Sequence, residues 1–156
     1  MDIAMMSRAA LHVLPRQVSP IRKYSDRERM NGLYADLTCS WCDLIEVSGG
    51  GEADAVYNAY AEVLLGFFMI ANEKKTTYKL LVSSDELENM KVKWKSSSFN
   101  AVCLIMQQQL LKSHFEHSVD AFVHAWHIVL KFGLTDLGLD EERIEASYDR
   151  MLKGTE

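Results

Sequence analysis

The stretch "NAYAEVLLGFFMIAN", Asn58–Asn72, decides the fold of this chain. Its residues are nearly all apolar. If the stretch is helical, apolar side chains lie on every side of it, so the pattern predicts a central, buried helix. One carboxylate, Glu62, lies inside it. An unpaired buried charge is very costly, so we expect Glu62 to be neutral, paired or bound to a metal ion.

The flanking sequence predicts more helices. "SGGG", 48–51, ends the preceding helix, which starts at Ser25 with Glu28 three residues on, the pattern of a capping box. Asp140 is the expected N-cap of a last helix in "GLDEERIEASYDRMLKG". "TTYKLLVSS", 76–84, is compatible with a short strand or a connecting arm.

These patterns predict an all-α fold, a bundle of about five or six helices. The length of 156 residues fits one domain. We expect residues 1–24 to form an N-terminal arm, with Pro15 and Pro20 bracketing a turn or extended piece. Residues 25–156 are then expected to form a single helical domain.

Composition excludes several partners. The net charge of -5 argues against a general nucleic-acid binder, which normally carries a basic face. No uninterrupted apolar run reaches the about 18 residues of a membrane span, so no membrane partner is expected.

The three cysteines bear on metal sites and compartment. Cys39 and Cys42 form "CSWC", and the second such pair of a structural zinc site is absent. We interpret them as buried helical thiols in a reducing compartment and predict a cytoplasmic protein.

Acidic residues cluster near the glycine turn. Asp43 and Glu46, in "CDLIE", project from one helix face because they are three residues apart. The next helix returns antiparallel, so Glu62 can point at the same place, and three carboxylates there would suit Mg²⁺. In the alternative, Asp43 and Glu46 face water and Glu62 pairs with a Lys or Arg. The residues alone leave both open.

Two further groups of residues can be interpreted either as binding sites or as ordinary surface. In "KVKWK", Lys91–Lys95, Lys91 and Trp94 are candidate nucleotide contacts, although such patches are usually solvated helix ends. The segment His114–His127 presents histidines opposite an apolar stripe, which favours a solvated face or a subunit interface over a zinc site. That stripe comprises Phe115, Val119, Phe122, Trp126 and Val129, and the opposite side comprises His117, Asp120, His124, His127 and Lys131.

At the acidic residues the chain resembles the all-α NTP pyrophosphatases, the MazG-like and dimeric dUTPase-like proteins. Their pattern is E-E-x-x-E, a gap, then E-x-x-D on two antiparallel helices. Here "CDLIE" and "AYAE" stand at those places, and "GLDEERIEASYDRML" is similar to the closing helix of the phage enzymes. Cys42 and Ala59 replace two acids of the pattern.

The resemblance implies a Mg²⁺-dependent nucleoside triphosphate pyrophosphohydrolase, which yields a monophosphate and pyrophosphate. Asp43, Glu46 and Glu62 would hold Mg²⁺, with Glu46 as the catalytic residue. The resemblance implies a homodimer, as does the apolar surplus on the 58–72 helix. The alternative is a non-catalytic helical interaction protein, a diverged member of the same fold, which the missing acids at positions 42 and 59 favour.

Overall fold

The computed structural model describes residues 1–13 and 25–154, and the regular elements within them are all helical. This confirms the all-α prediction. Five helices have 13 to 23 residues, and two helices of seven and eight residues come in addition. In chain order they are α1 (Ile3–Ala9), α2 (Asp26–Ser48), α3 (Ala53–Lys74), α4 (Ser84–Lys91), α5 (Phe99–Glu116), α6 (Val119–Lys131) and α7 (Glu141–Gly154).

Local signals define most helix starts. The Ser25 hydroxyl accepts a hydrogen bond from the Glu28 backbone N–H at 3.1 Å. The Asp140 carboxylate does the same for the Arg143 N–H at 3.0 Å. Both predicted N-caps are therefore confirmed. Segment 76–84 holds the 3₁₀ turn Thr77–Leu80 and not a strand.

Helix α3 lies at the centre, against α1, α2 and α7. It approaches α2 closely at Gly66, where a Cβ atom would lie 2.9 Å from Leu37 Cδ1. Phe67 and Phe68 are fully buried and pack on the Trp126 ring, with centroids 5.3 and 5.5 Å away. Helix α3 is long and apolar enough, by length and composition, to cross a membrane, a property that core helices of soluble proteins share.

The start of the chain packs on this core. Ile3 and Met6 of α1 are buried, and the Tyr148 hydroxyl of α7 donates to the Met6 carbonyl at 2.8 Å. The Asn72 amide of α3 donates to the Ser7 carbonyl at 3.0 Å. Residues 1–13 of the predicted arm therefore lie on the helical bundle, while Pro15, Pro20 and the rest of 14–24 are outside the described residues.

A break divides the segment 114–127 into two helices. His117 caps α5 in the left-handed conformation, with φ of 53°, and Ser118 caps α6 through the Ala121 N–H. The prediction of one continuous apolar stripe is therefore wrong for its first two residues. Phe122, Trp126 and Val129 are buried, as predicted, but Phe115 and Val119 belong to the exposed surface.

Candidate functional site

Two of the predicted metal ligands lie on the outer side of α2. Leu37, Trp41 and Leu44 form its core face and are fully buried. At 100° per residue, Asp43 and Glu46 fall well away from that face, and both are exposed. Their placement on one solvent-facing side agrees with the plain interpretation of these two acids.

Glu62 lies in a different setting. It is half-buried on α3 and lines a surface pocket of about 430 Å³ together with Asn58, Arg150 and Met151. Arg150 of α7 is thus a basic residue in the same pocket, of the type that the ion-pair alternative requires. Glu62 belongs to the groove between α3 and α7, whereas Asp43 and Glu46 lie on α2.

The three predicted magnesium ligands lie on two helices, two of them on α2 and one on α3. Within the described residues, no group of three or more His, Cys, Asp or Glu side chains is placed to hold a metal ion. Mg²⁺ demands close, nearly octahedral oxygen ligation. Asp43 and Glu46 are exposed on α2 and Glu62 is half-buried on α3, and Mg²⁺ binding by these three acids remains a prediction.

The cysteines are helical, as predicted, but Cys39 and Cys42 are exposed and not buried. The core face of α2 passes through Trp41 and Leu44, so the positions between them turn outward. Partial desolvation of the Cys42 thiol by its neighbours, followed by the charges of Cys103, Cys39 and Asp43, raises its pKa although the residue is exposed. A raised pKa lowers the thiolate fraction at neutral pH, so Cys42 is not an activated nucleophile.

Lys91 and Trp94 lie at the end of α4 and in the loop that follows. The Lys91 ammonium binds Glu88 at 2.7 Å and Glu141 at 2.5 Å, and these hydrogen bonds, Glu141 first, raise its pKa. Lys91 therefore ties α4 to the start of α7. The Trp94 side chain is 94% exposed.

A surface that the sequence interpretation missed lies on the outer side of α5. Leu104 and Phe115 are 70% and 74% exposed, and Ile105 and Leu111 are 48% and 45% exposed. We call these four residues the α5 face. The opposite side of α5 carries buried Met106 and Leu110.

The sequence contained a signal for this surface. Helix α5 has apolar residues on two opposite sides, whereas a helix on the surface of a bundle needs only one apolar stripe. Large exposed apolar patches on soluble proteins mark sites of interaction.

No protein-family model matches the chain, and no curated protein or solved structure is significantly similar to it. A fold alone does not identify a function, so function must be argued from these surfaces.

Proposed function

We propose that this chain is a non-catalytic helical interaction protein that forms a homodimer through the α5 face. The exposure of Leu104, Leu111 and Phe115 along one side of α5, with Ile105 at its margin, carries this proposal. Their burial by a partner is favourable because it removes apolar surface from water.

The spacing along α5 matches a second copy of the same helix. Leu104, Gln108, Leu111 and Phe115 follow steps of four, three and four residues, which is the d-a-d-a spacing of a helix–helix seam. In an antiparallel pair, Leu104 of one copy lies opposite Phe115 of the other, and Gln108 lies opposite Leu111. A twofold interface requires this reciprocal pairing of one patch with itself.

The apolar surplus of α3 does not contribute to this interface. Phe67, Phe68 and Ile70 are fully buried within one chain, so the sequence-based reason for a dimer in that helix is wrong. The α5 face supplies the reason instead.

Leu111→Glu is the test of the dimer. Removing Leu111 from a twofold interface loses about 1.5–3 kcal/mol of burial on each side, and the new charges face an apolar seam. We expect the dissociation constant to rise by about a hundredfold or more. Sedimentation velocity at micromolar concentration should show a wild-type dimer and a helical, monomeric variant.

Leu81→Glu is the matched control, because Leu81 is 51% exposed and lies outside α5. This variant should remain dimeric. A monomeric wild type, or a Leu111→Glu variant that dimerises as well as the wild type, would contradict the proposal.

A second proposal is the Mg²⁺-dependent pyrophosphohydrolase that the resemblance implies, with a nucleoside triphosphate as substrate. One observation favours it: helices α2 and α3, joined by a short glycine turn, carry all three acids. The exposure of Asp43 and Glu46 agrees with the plain interpretation of these acids, so we give this proposal second.

Thermal melts with Glu62→Gln distinguish the two proposals. If Glu62 serves as a structural neighbour of Arg150, Mg²⁺ should leave the wild-type melting temperature unchanged, and Glu62→Gln should lower it with or without Mg²⁺. Glu116→Gln, an exposed substitution on α5, is the control. A Mg²⁺-induced rise that Glu62→Gln removes, together with pyrophosphate release from nucleoside triphosphates, would favour the enzyme.

A further inference from the structure

A cleft of about 610 Å³ opens where the start of α2 meets the ends of α3 and α5. Four of its lining residues are basic, and Met30 and Phe115 supply apolar walls. The basic residues are Arg27, Lys74, His114 and His117. We call this the basic cleft. Its volume falls within the range of pockets for small organic molecules, about 300–1,000 Å³.

The basic cleft is positive in a protein whose net charge is -5. No carboxylate is among its lining residues within the described part of the chain. The pKa of His114 is lowered by burial, then by the charges of Lys74, His117 and Arg27. The charges that act on this imidazole therefore all have the same sign.

Lys74 and Arg27, the two permanent cations of the cleft, have no acidic partner among the described residues. The Lys74 ammonium donates to the Tyr34 hydroxyl at 2.9 Å and lies 5.0 Å from the centre of the Tyr34 ring. Among the ion pairs between described residues, neither Lys74 nor Arg27 takes part. Half-buried Lys74 thus has neutral partners, although burial of a cation normally calls for an opposite charge.

Helix dipoles explain only part of this arrangement. Lys74 and His114 lie in the last turns of α3 and α5, where a cation is favourable. Arg27 lies in the first turn of α2, where the dipole disfavours a cation. The helix dipoles therefore do not account for the position of Arg27 beside Lys74 and His114.

We propose that the basic cleft binds the phosphate group of a small phosphate monoester, with the apolar part of that molecule against Met30 and Phe115. A guanidinium and an ammonium are the usual pair for phosphate oxygens, the first through parallel N–H donors and the second as a point charge. The cations all belong to one chain, whereas Phe115 also belongs to the α5 face, so a dimer formed through that face covers part of this apolar wall.

The pKa of His114 should respond to a bound anion. The Asn31 amide nitrogen donates to Glu28 at 3.3 Å, so its oxygen accepts the bond from His114 Nε2 at 2.9 Å. This leaves Nδ1 of the neutral imidazole without that proton. An anion beside Lys74, His117 and Arg27 offsets their repulsion, so binding should raise the pKa of His114.

The test is a titration of the full chain with phenyl phosphate, followed by calorimetry and by the histidine signals in NMR. We expect saturable binding, at least about tenfold tighter than inorganic phosphate, and an upward shift of the His114 pKa. Lys74→Met should weaken binding by about tenfold or more. Arg27→Gln, at an exposed position, is a second variant that leaves the core untouched.

Lys79→Met is the matched control, because Lys79 lies over the Tyr78 ring at 5.6 Å but outside the cleft. It should bind phenyl phosphate as the wild type does. Equal affinity of wild type, Lys74→Met and Arg27→Gln would overturn the site, and benzoate binding as tightly as phenyl phosphate would overturn the phosphate class. Sedimentation of the same samples separates a failure of this site from a failure of the dimer.

Discussion

Asp136→Ala should lower the free energy of unfolding by about 3 kcal/mol or more, because it breaks a buried ion pair. The Asp136 side chain is fully buried and lies 3.2 Å from the Lys131 ammonium. Its oxygens also accept hydrogen bonds from the Ser96 N–H at 2.7 Å and the Ser96 hydroxyl at 2.9 Å. Removal of the carboxylate leaves the largely buried Lys131 ammonium without its counter-ion and the Ser96 N–H without its acceptor.

Urea denaturation of the wild type and three variants measures this effect. Asp136→Asn retains one acceptor oxygen for Ser96 but loses the charge pair, so its stability should lie between wild type and Asp136→Ala. Asp120→Ala, on the exposed first turn of α6, should change stability by less than about 0.5 kcal/mol. A loss below about 1 kcal/mol for Asp136→Ala would show that the network contributes no more than an ordinary hydrogen bond.

Gly133→Ala should destabilise the protein by about 1–3 kcal/mol through overpacking. Gly133 is buried in the π-helical turn Phe132–Asp136 that follows α6. A methyl group at this position would overlap the ring of Tyr60. That ring is fully buried, and its hydroxyl donates to the Val129 carbonyl at 3.0 Å, so it has little freedom to move.

A double-mutant cycle with Tyr60→Leu tests the stated cause. In the Tyr60→Leu background the ring is absent, so Gly133→Ala should cost at least about 0.5 kcal/mol less than in the wild type. Gly154→Ala is the control, since nothing lies within 4 Å of a Cβ atom there. Additive effects of the two substitutions would exclude the clash as the reason.

The features that depend on short stretches of the chain could be predicted from the sequence. The caps at Ser25 and Asp140, the glycine turn after Ser48 and the burial of α3 all follow from short-range rules of hydrogen bonding and periodicity. These rules act between residues a few positions apart, so they require no knowledge of the other helices.

The candidate site was less predictable, for a physical reason. The sequence predicts that Asp43 and Glu46 lie on one side of a helix, but it does not determine whether that side packs against α3 or is exposed to water. The neighbour of Glu62 also depends on α7, which brings Arg150 into the same pocket from far along the chain.

The sequence by itself determined an all-α chain, the starts of its main helices and the central place of α3, because these depend on local capping and on apolar periodicity. Only the tertiary structure decided which apolar side of α5 remains uncovered and which basic side chains converge at the ends of α2, α3 and α5. Both depend on contacts between residues distant in sequence, whose pairing is decided by how whole helices pack and not by the residues next to them.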